Sequence, residues 1–303
     1  MSLNCSKKYC LLIFALMAQI TSSLAQTYKG SSWAANLYLG VSNMRGDLGG
    51  SNFIGAGGIF NYDIRASRLA IGTGIAMNRG AWSLGANILG TRLAGNDDYT
   101  IEEFQTNRNL SVRTDLIEAN LLLELRPFSR SAGFNRFYIY SGIGGIYYQP
   151  KAEYQDDWIT LRTLGTEGQY FEGAEGPYSE LDIVIPYGLG YKFRLGRSTS
   201  LVADLGFRYT FTDYLDDVSS VYVDPIALTE SNGELAPILA DRSTTPNTVG
   251  STRGNPDNND FYFLLGVKLE YILGGKAGDG CYYNRNPPKT RSTRINQRKM
   301  WTR

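Results

Sequence analysis

The sequence predicts an all-β protein: an eight-stranded antiparallel transmembrane β-barrel with long extracellular loops and short periplasmic turns. Three observations predict it. Apolar residues recur at every second position across eight segments. The connections between those segments alternate long and short. The chain opens with an export signal, and nothing after it is apolar for long enough to cross a membrane as a helix.

The export signal comes first in order. Lys7 and Lys8 form a basic start, Leu11 to Ile20 an apolar stretch, and Ser23-Leu24-Ala25 a small-residue cleavage site. Residues 1–25 therefore read as a signal peptide, 26–273 as the outer-membrane barrel and 274–303 as a basic periplasmic tail. No cysteine follows the cleavage site, so the mature chain does not read as a lipoprotein. Cys5 and Cys10 leave with the signal, and Cys281 reads as an unpaired tail thiol.

Three strands alternate without ambiguity. Leu181, Ile183, Ile185, Tyr187, Leu189, Tyr191 and Phe193 share one face, against Asp182, Pro186, Gly188, Gly190, Lys192 and Arg194. Leu201 to Phe211 and Phe261 to Leu273 repeat the pattern. Five weaker segments, Trp33–Ser42, Arg68–Met77, Ala81–Arg92, Ser111–Leu125 and Arg136–Tyr148, complete an even count. The segment from Arg136 is ambiguous, because both of its faces carry aromatics and glycines. Many apolar faces begin or end on Tyr, Phe or Trp, as interfacial girdles do.

The opposite faces carry glycine, small polar residues and charges. The acids are Glu118, Glu124, Asp204 and Glu270, and the bases Lys192, Arg194, Arg208 and Lys268. An eight-stranded barrel is just wide enough for side chains to fill it. Opposite charges inside it satisfy one another, as buried charges must. This face is therefore expected to form the lumen, plugged by its own side chains. The alternative is a soluble lipocalin-like barrel, which needs the reverse polarity.

The long connections are Asn43–Ser67, Leu93–Leu110, Gln149–Glu180 and Asp213–Asn259. The short ones are Asn78–Gly80, Arg126–Asn135 and Leu195–Thr199, and a soluble sandwich has no reason to alternate in this way. With eight strands, both chain ends fall on the periplasmic side.

Composition narrows the chemistry. The chain has 303 residues, no histidine and a formal net charge of +1. Histidine-dependent hydrolases and acyltransferases are excluded, and no global field calls for nucleic acid. No paired-carboxylate spacing stands out, so no enzyme, cofactor or small-molecule substrate is expected. Asp213, Asp216, Asp217, Asp224, Asp257 and Asp260 crowd the last long loop. They fit no EF-hand spacing, so they read as a solvated acidic loop with Asx turns and helix caps rather than a calcium site. Gly142-Ile143-Gly144-Gly145 and Leu164-Gly165-Thr166-Glu167-Gly168 lack the Lys-Ser/Thr of a phosphate loop. Beyond Gly274 come Lys276, Arg285, Lys289, Arg291, Arg294, Arg298, Lys299 and Arg303 against the single acid Asp279. They read either as a disordered basic tail or as an arm that docks a partner or an anionic surface.

Several stretches together resemble a known family. They are Gly46-Asp47-Leu48, Arg108-Asn109-Leu110-Ser111-Val112-Arg113, Pro150-Lys151-Ala152, Leu164 to Gln169, Phe211 to Asp217, Ala240-Asp241-Arg242-Ser243 and Arg253-Gly254-Asn255. The chain resembles the PorG-like outer-membrane barrels of Bacteroidota associated with the type IX secretion system. The resemblance implies a structural or interaction role without catalysis. Its implied partners are outer-membrane lipids and the periplasmic ring of the secretion machine, built on a lipoprotein. The extended basic tail departs from the family. A passive barrel that stabilises the envelope or binds at the surface is the competing expectation.

Overall fold

The computed structural model describes residues 31–48, 64–100, 102–128 and 136–274. The expected signal sequence, Cys281 and the basic residues from Lys276 to Arg303 lie outside the described residues. Among the described residues nine strands run in order: β1 (Ser32–Arg45), β2 (Arg68–Arg79), β3 (Trp82–Asn96), β4 (Ser111–Leu125), β5 (Phe137–Tyr154), β6 (Asp157–Thr160), β7 (Leu181–Arg194), β8 (Thr199–Thr210) and β9 (Phe261–Gly274). Eight of them pair antiparallel in the order β4-β3-β2-β1-β9-β8-β7-β5, and the β4–β5 pairing closes the ring. A closed ring leaves no unpaired edge, which is the condition for a sheet to stand in hydrocarbon. The ninth, β6, is a short hairpin arm paired with the outer end of β5.

Each expected segment becomes a barrel strand. Several run further than their periodicity indicated, β3 and β5 the most. β3 continues to Asn96, where it pairs with Ser111 of β4, and β5 continues to Tyr154, where it pairs with β6. Their extensions carry alternation too weak to read, but each finds a partner for its backbone groups, so the ladder continues past the apolar band. Both turn into the loops from a stiff stem.

The apolar faces point outward. Leu37, Ile71, Ile88, Leu121, Ile143, Ile183 and Leu269, from seven different strands, are each about half exposed on the barrel wall. Leaving such a belt in water forgoes about 1.5–3 kcal/mol per large side chain, more in total than the ~5–15 kcal/mol net stability of a typical fold. Only lipid makes this surface tolerable, and a reversed, lipocalin-like polarity is excluded. The chain is an outer-membrane β-barrel. Ser32 and Gly274 lie at the end of the short turns, the periplasmic side.

The ambiguous strand resolves clearly. Tyr138, Tyr140, Ile146 and Tyr148 of β5 are buried inside, while Ile139, Ile143 and Tyr147 face out. Large tyrosines fit in so narrow a lumen because glycines face them. A Cβ at Gly190 of β7 would overlap the Tyr138 ring, and one at Gly188 would overlap Tyr140. Glycine here supplies space rather than flexibility.

Among the described residues three short α-helices lie in the outer loops: α1 (Glu103–Arg108), α2 (Pro225–Asn232) and α3 (Leu235–Ala240). Asp224 caps α2 by accepting from the Ile226 amide at 2.9 Å, with Pro225 in the first turn. Asn109 ends α1 in the left-handed region, φ 54°.

Candidate functional site

Two polar assemblies fill and close the barrel. The first is in the lumen, where alternation delivers every second residue of each strand. Glu118 of β4 is fully buried. It pairs with Arg208 of β8 at 3.2 Å and accepts hydrogen bonds from Tyr262 Oη at 2.7 Å and Asn120 Nδ2 at 2.6 Å. From Asn120 a ladder of amides crosses three strands, Asn36 donating to Asn87 at 3.1 Å and Asn87 to Asn120 at 3.0 Å.

Nearer the periplasm, Asp204 accepts from Tyr138 Oη at 2.6 Å and Tyr140 Oη at 3.1 Å. Lys268 reaches both Asp204 (3.9 Å) and Glu124 (3.6 Å). Lys192 sits between Glu124 (3.3 Å) and Glu270 (3.0 Å). Arg208 donates to Tyr140 Oη at 3.4 Å and so joins the two halves. Each charge therefore has an opposite charge or donor within reach, which a low-dielectric interior demands.

The structure brings seven of the eight charged residues of the sequence reading into this network. Arg194 is placed differently. It stands exposed at the periplasmic end of β7, and its Nε donates to the Gly196 carbonyl at 2.7 Å. The strand end has left the lumen by that point. Arg126, assigned to a turn in the sequence reading, is buried instead. Its guanidinium bonds Gly80 O (2.8 Å) and Ser83 Oγ (3.1 Å), and its charge acts on Glu124. The balance of four acids and four bases survives with one substitution of partner.

The second assembly caps the outer mouth. Arg108, at the end of α1, is 2% exposed. It grips Asp97 with two bonds of 2.8 and 2.7 Å, and donates to the carbonyls of Arg253 and Asp47, each at 2.7 Å. One guanidinium thus ties the first, second and fourth loops. Arg253 ties in the third, with Nη1 on Glu167 Oε1 at 2.7 Å and Nε on the Ala240 carbonyl at 3.2 Å. Glu167 also accepts from the Ser219 amide at 2.9 Å and Ser220 Oγ at 2.7 Å. Bidentate or multiply donated carboxylates of this kind are the strong, geometrically specific contacts.

A column of tyrosines links cap to barrel. Tyr148 of β5 stacks on Tyr178 at 6.5 Å, and Tyr178 on Tyr214 at 4.5 Å. Tyr178 Oη donates to Asp217 at 2.6 Å. Most of the stretches that carry the family resemblance meet here. Contacts run in a chain from Asn255 through Asp47, Arg108 and Arg253 to Glu167 and Asp217, and Leu48, next to Asp47, bonds Asp216.

Of the six acids of the last loop, Asp224 and Asp257 are exposed and Asp224 caps α2 as expected, but Asp213, Asp216, Asp217 and Asp260 are buried, which corrects the sequence reading for those four. Asp216 and Asp217 are fully buried and Asp260 is 1% exposed. Their oxygens accept backbone amides that loops otherwise leave unpaired. Asp216 takes Leu48 N at 2.9 Å and Val218 N at 3.1 Å, and Asp260 takes Leu215 N at 2.8 Å. A Cβ at Gly46 would overlap the carboxylates of both Asp260 and Asp216. Burial pushes the Asp213 carboxyl up to about 7 and Asp217 to about 6. Asp216 and Asp260 are raised too, by burial first and then by neighbouring acids, Asp47 for the one and Asp216 for the other. Among the described residues no three such side chains are arranged to hold a metal ion.

No family model and no curated protein matches the chain. Among solved structures it is similar to Neisserial surface protein A (NspA), with 8% identity, 80% of this chain and 96% of that chain covered and a TM-score of 0.32. It is also similar to Ail, the attachment invasion locus protein of Yersinia pestis, with 8% identity, 81% and 99% covered and a TM-score of 0.36. CarO of Acinetobacter baumannii shows 12% identity, 78% and 96% covered and a TM-score of 0.32. At these scores the strand pairing and the outward belt, rather than the likeness, carry the fold.

Proposed function

We propose that this barrel is a structural and interaction component of the type IX secretion system that contacts the periplasmic ring lipoprotein. The observation that carries the reading is the double seal. Among the described residues, ion pairs and tyrosines fill the lumen beneath a cap tied by two buried arginines, which argues against passage of a solute. Function then falls to surfaces: the rigid outer cap, the lipid-facing wall, and the periplasmic end where the chain enters and leaves. Support for the secretion role comes from the resemblance, whose stretches build the cap, and from the basic tail Lys276, Arg285, Lys289, Arg291, Arg294, Arg298, Lys299 and Arg303 at the periplasmic end. Such a tail suits an acidic protein surface. No catalytic role is proposed for a chain without histidine.

Affinity purification from detergent-solubilised membranes tests this. The full chain is expected to recover the ring lipoprotein, and a chain lacking Lys276–Arg303 to recover much less. Recovery of unrelated membrane proteins only would favour the second reading, a barrel that stabilises the envelope or binds at the surface through its cap. That reading draws on the same rigid cap.

A further inference from the structure

One wall of the barrel carries a groove that neither the lumen nor the cap uses. Register places Ile71, Gly90, Ile117 and Tyr147 side by side on β2, β3, β4 and β5. All four face outward, and the three large side chains leave a gap at Gly90, where a Cβ would meet nothing within 4 Å. The groove encloses about 660 Å³. One step toward the outside, β3, β4 and β5 carry Arg92, Asp115 and Gln149, and one step further Arg113 and Lys151 stand opposite each other.

The charge above this gap is lopsided. Arg92 Nε (3.0 Å), Arg113 Nη2 (3.4 Å) and Lys151 Nζ (2.8 Å) all converge on the single carboxylate of Asp115. Arg68 lines the same groove from β2. Four cations thus face one acid, with Glu180, held by Gln149 at 3.2 Å, at the edge. Arg113 is steadied over the Trp158 ring at 4.2 Å. On the opposite wall Tyr209 of β8, Phe211 just beyond it and Phe261 of β9 form an aromatic girdle with a single cation, Arg45, over Phe261 at 5.8 Å. Partly exposed ion pairs add little stability, and three cations on one carboxylate repel one another. The cluster therefore fits an anion better than it fits a purely structural purpose.

We propose that this groove binds a phosphorylated lipid of the outer leaflet, its phosphate held by Arg92, Lys151 and Arg68 and one acyl chain lying over Gly90. The inference rests on the barrel standing in a membrane and is independent of the secretion role. An apolar trough directly below a cationic shelf, at the height where hydrocarbon meets headgroup, matches a lipid in both chemistry and direction. Asp115 gathers the cations and is outnumbered by them.

The test uses the full-length protein in dodecylmaltoside micelles, titrated with bisphosphorylated lipid A and followed by native mass spectrometry. Dioleoylphosphatidylcholine and inorganic phosphate serve as the comparison probes. A retained lipid A adduct is expected, with weak retention of phosphatidylcholine and no displacement by millimolar phosphate. The double variant Arg92→Ala/Lys151→Ala is expected to weaken retention about tenfold or more. Gly90→Leu adds bulk to the trough at a position where a Cβ meets nothing within 4 Å and changes no charge; with heat-shifted gel mobility checking that the barrel is folded, it is expected to weaken retention too. Equal retention of both lipids, or Gly90→Leu binding as the parent does, overturns the proposal. Displacement by free phosphate would overturn the lipid assignment in favour of a phosphate site.

Discussion

Arg108 donates from Nη1 to the backbone carbonyl of Arg253 at 2.7 Å, across 145 positions of sequence, with both side chains buried. Neither guanidinium neutralises the other. Each is neutralised by its own acid, Asp97 for Arg108 and Glu167 for Arg253, and the carbonyl contact locks the two ion pairs into one unit. This unit ties the four loops together alongside a buried apolar cluster of Leu48, Leu110, Leu161, Val218 and Leu239.

Removing one partner of such a pair strands a buried charge. Arg253→Met is expected to destabilise the cap by about 3–5 kcal/mol while the barrel stays folded. Limited proteolysis should then cleave within 213–260, and the band should keep the heat-shifted gel mobility of a folded barrel. Protease resistance equal to the parent's would remove Arg253 from the role assigned to it.

Acid groups in the cap make its stability fall with rising pH. The folded pKa of Asp213, about 7, and of Asp217, about 6, lie above the unfolded value near 4. Between those values the folded state holds protons that the unfolded state has released, so the contribution of these two groups is full below about pH 4 and is lost as pH rises toward 7. Amide exchange over residues 213–218, corrected for the intrinsic rate, should be faster at pH 8 than at pH 5. Asp213→Asn should flatten that difference. Slower exchange at pH 8 would reverse the sign and refute the assignment.

Inside the lumen, Arg208→Met leaves the fully buried Glu118 without its cation and should cost about 3–5 kcal/mol. Adding Glu118→Gln should recover part of that loss, because residues in one network are not additive. Urea unfolding of the single and double variants measures the coupling. Strict additivity would show that the 3.2 Å pair does not act as a pair.

A sealed lumen conducts poorly. Purified protein in planar bilayers is expected to show no large steady conductance, and Arg208→Ala combined with Tyr140→Ala to introduce one. A stable pore in the parent would contradict the packing of Tyr138, Tyr140 and Arg208 across the lumen.

The barrel was legible because its signal is local. Residues such as Leu121 and Glu124 declare their faces by their immediate neighbours, and period two does the rest. β5 was not legible alone. Its inward tyrosines are allowed only by Gly188 and Gly190, on the strand beside it, and that relation appears only once register is known. Strand ends failed for the same reason, with Arg194 turning out of the lumen and Arg126 turning in. The cap was least legible. Asp216 and Asp217 look like solvent-facing loop acids until Leu48, Thr166 and Tyr178, from two other loops, arrive to bond them.

Face orientation on β4 is the most direct measurement of the whole scheme. In a background with the native tryptophans replaced by phenylalanine, Leu121→Trp should be quenched by phospholipid brominated at mid-chain and shielded from aqueous acrylamide. Its outward side chain stands 55% exposed on the wall. Quenching by acrylamide with no effect of the brominated lipid would mean that this face never meets hydrocarbon, and the membrane barrel would fall with it.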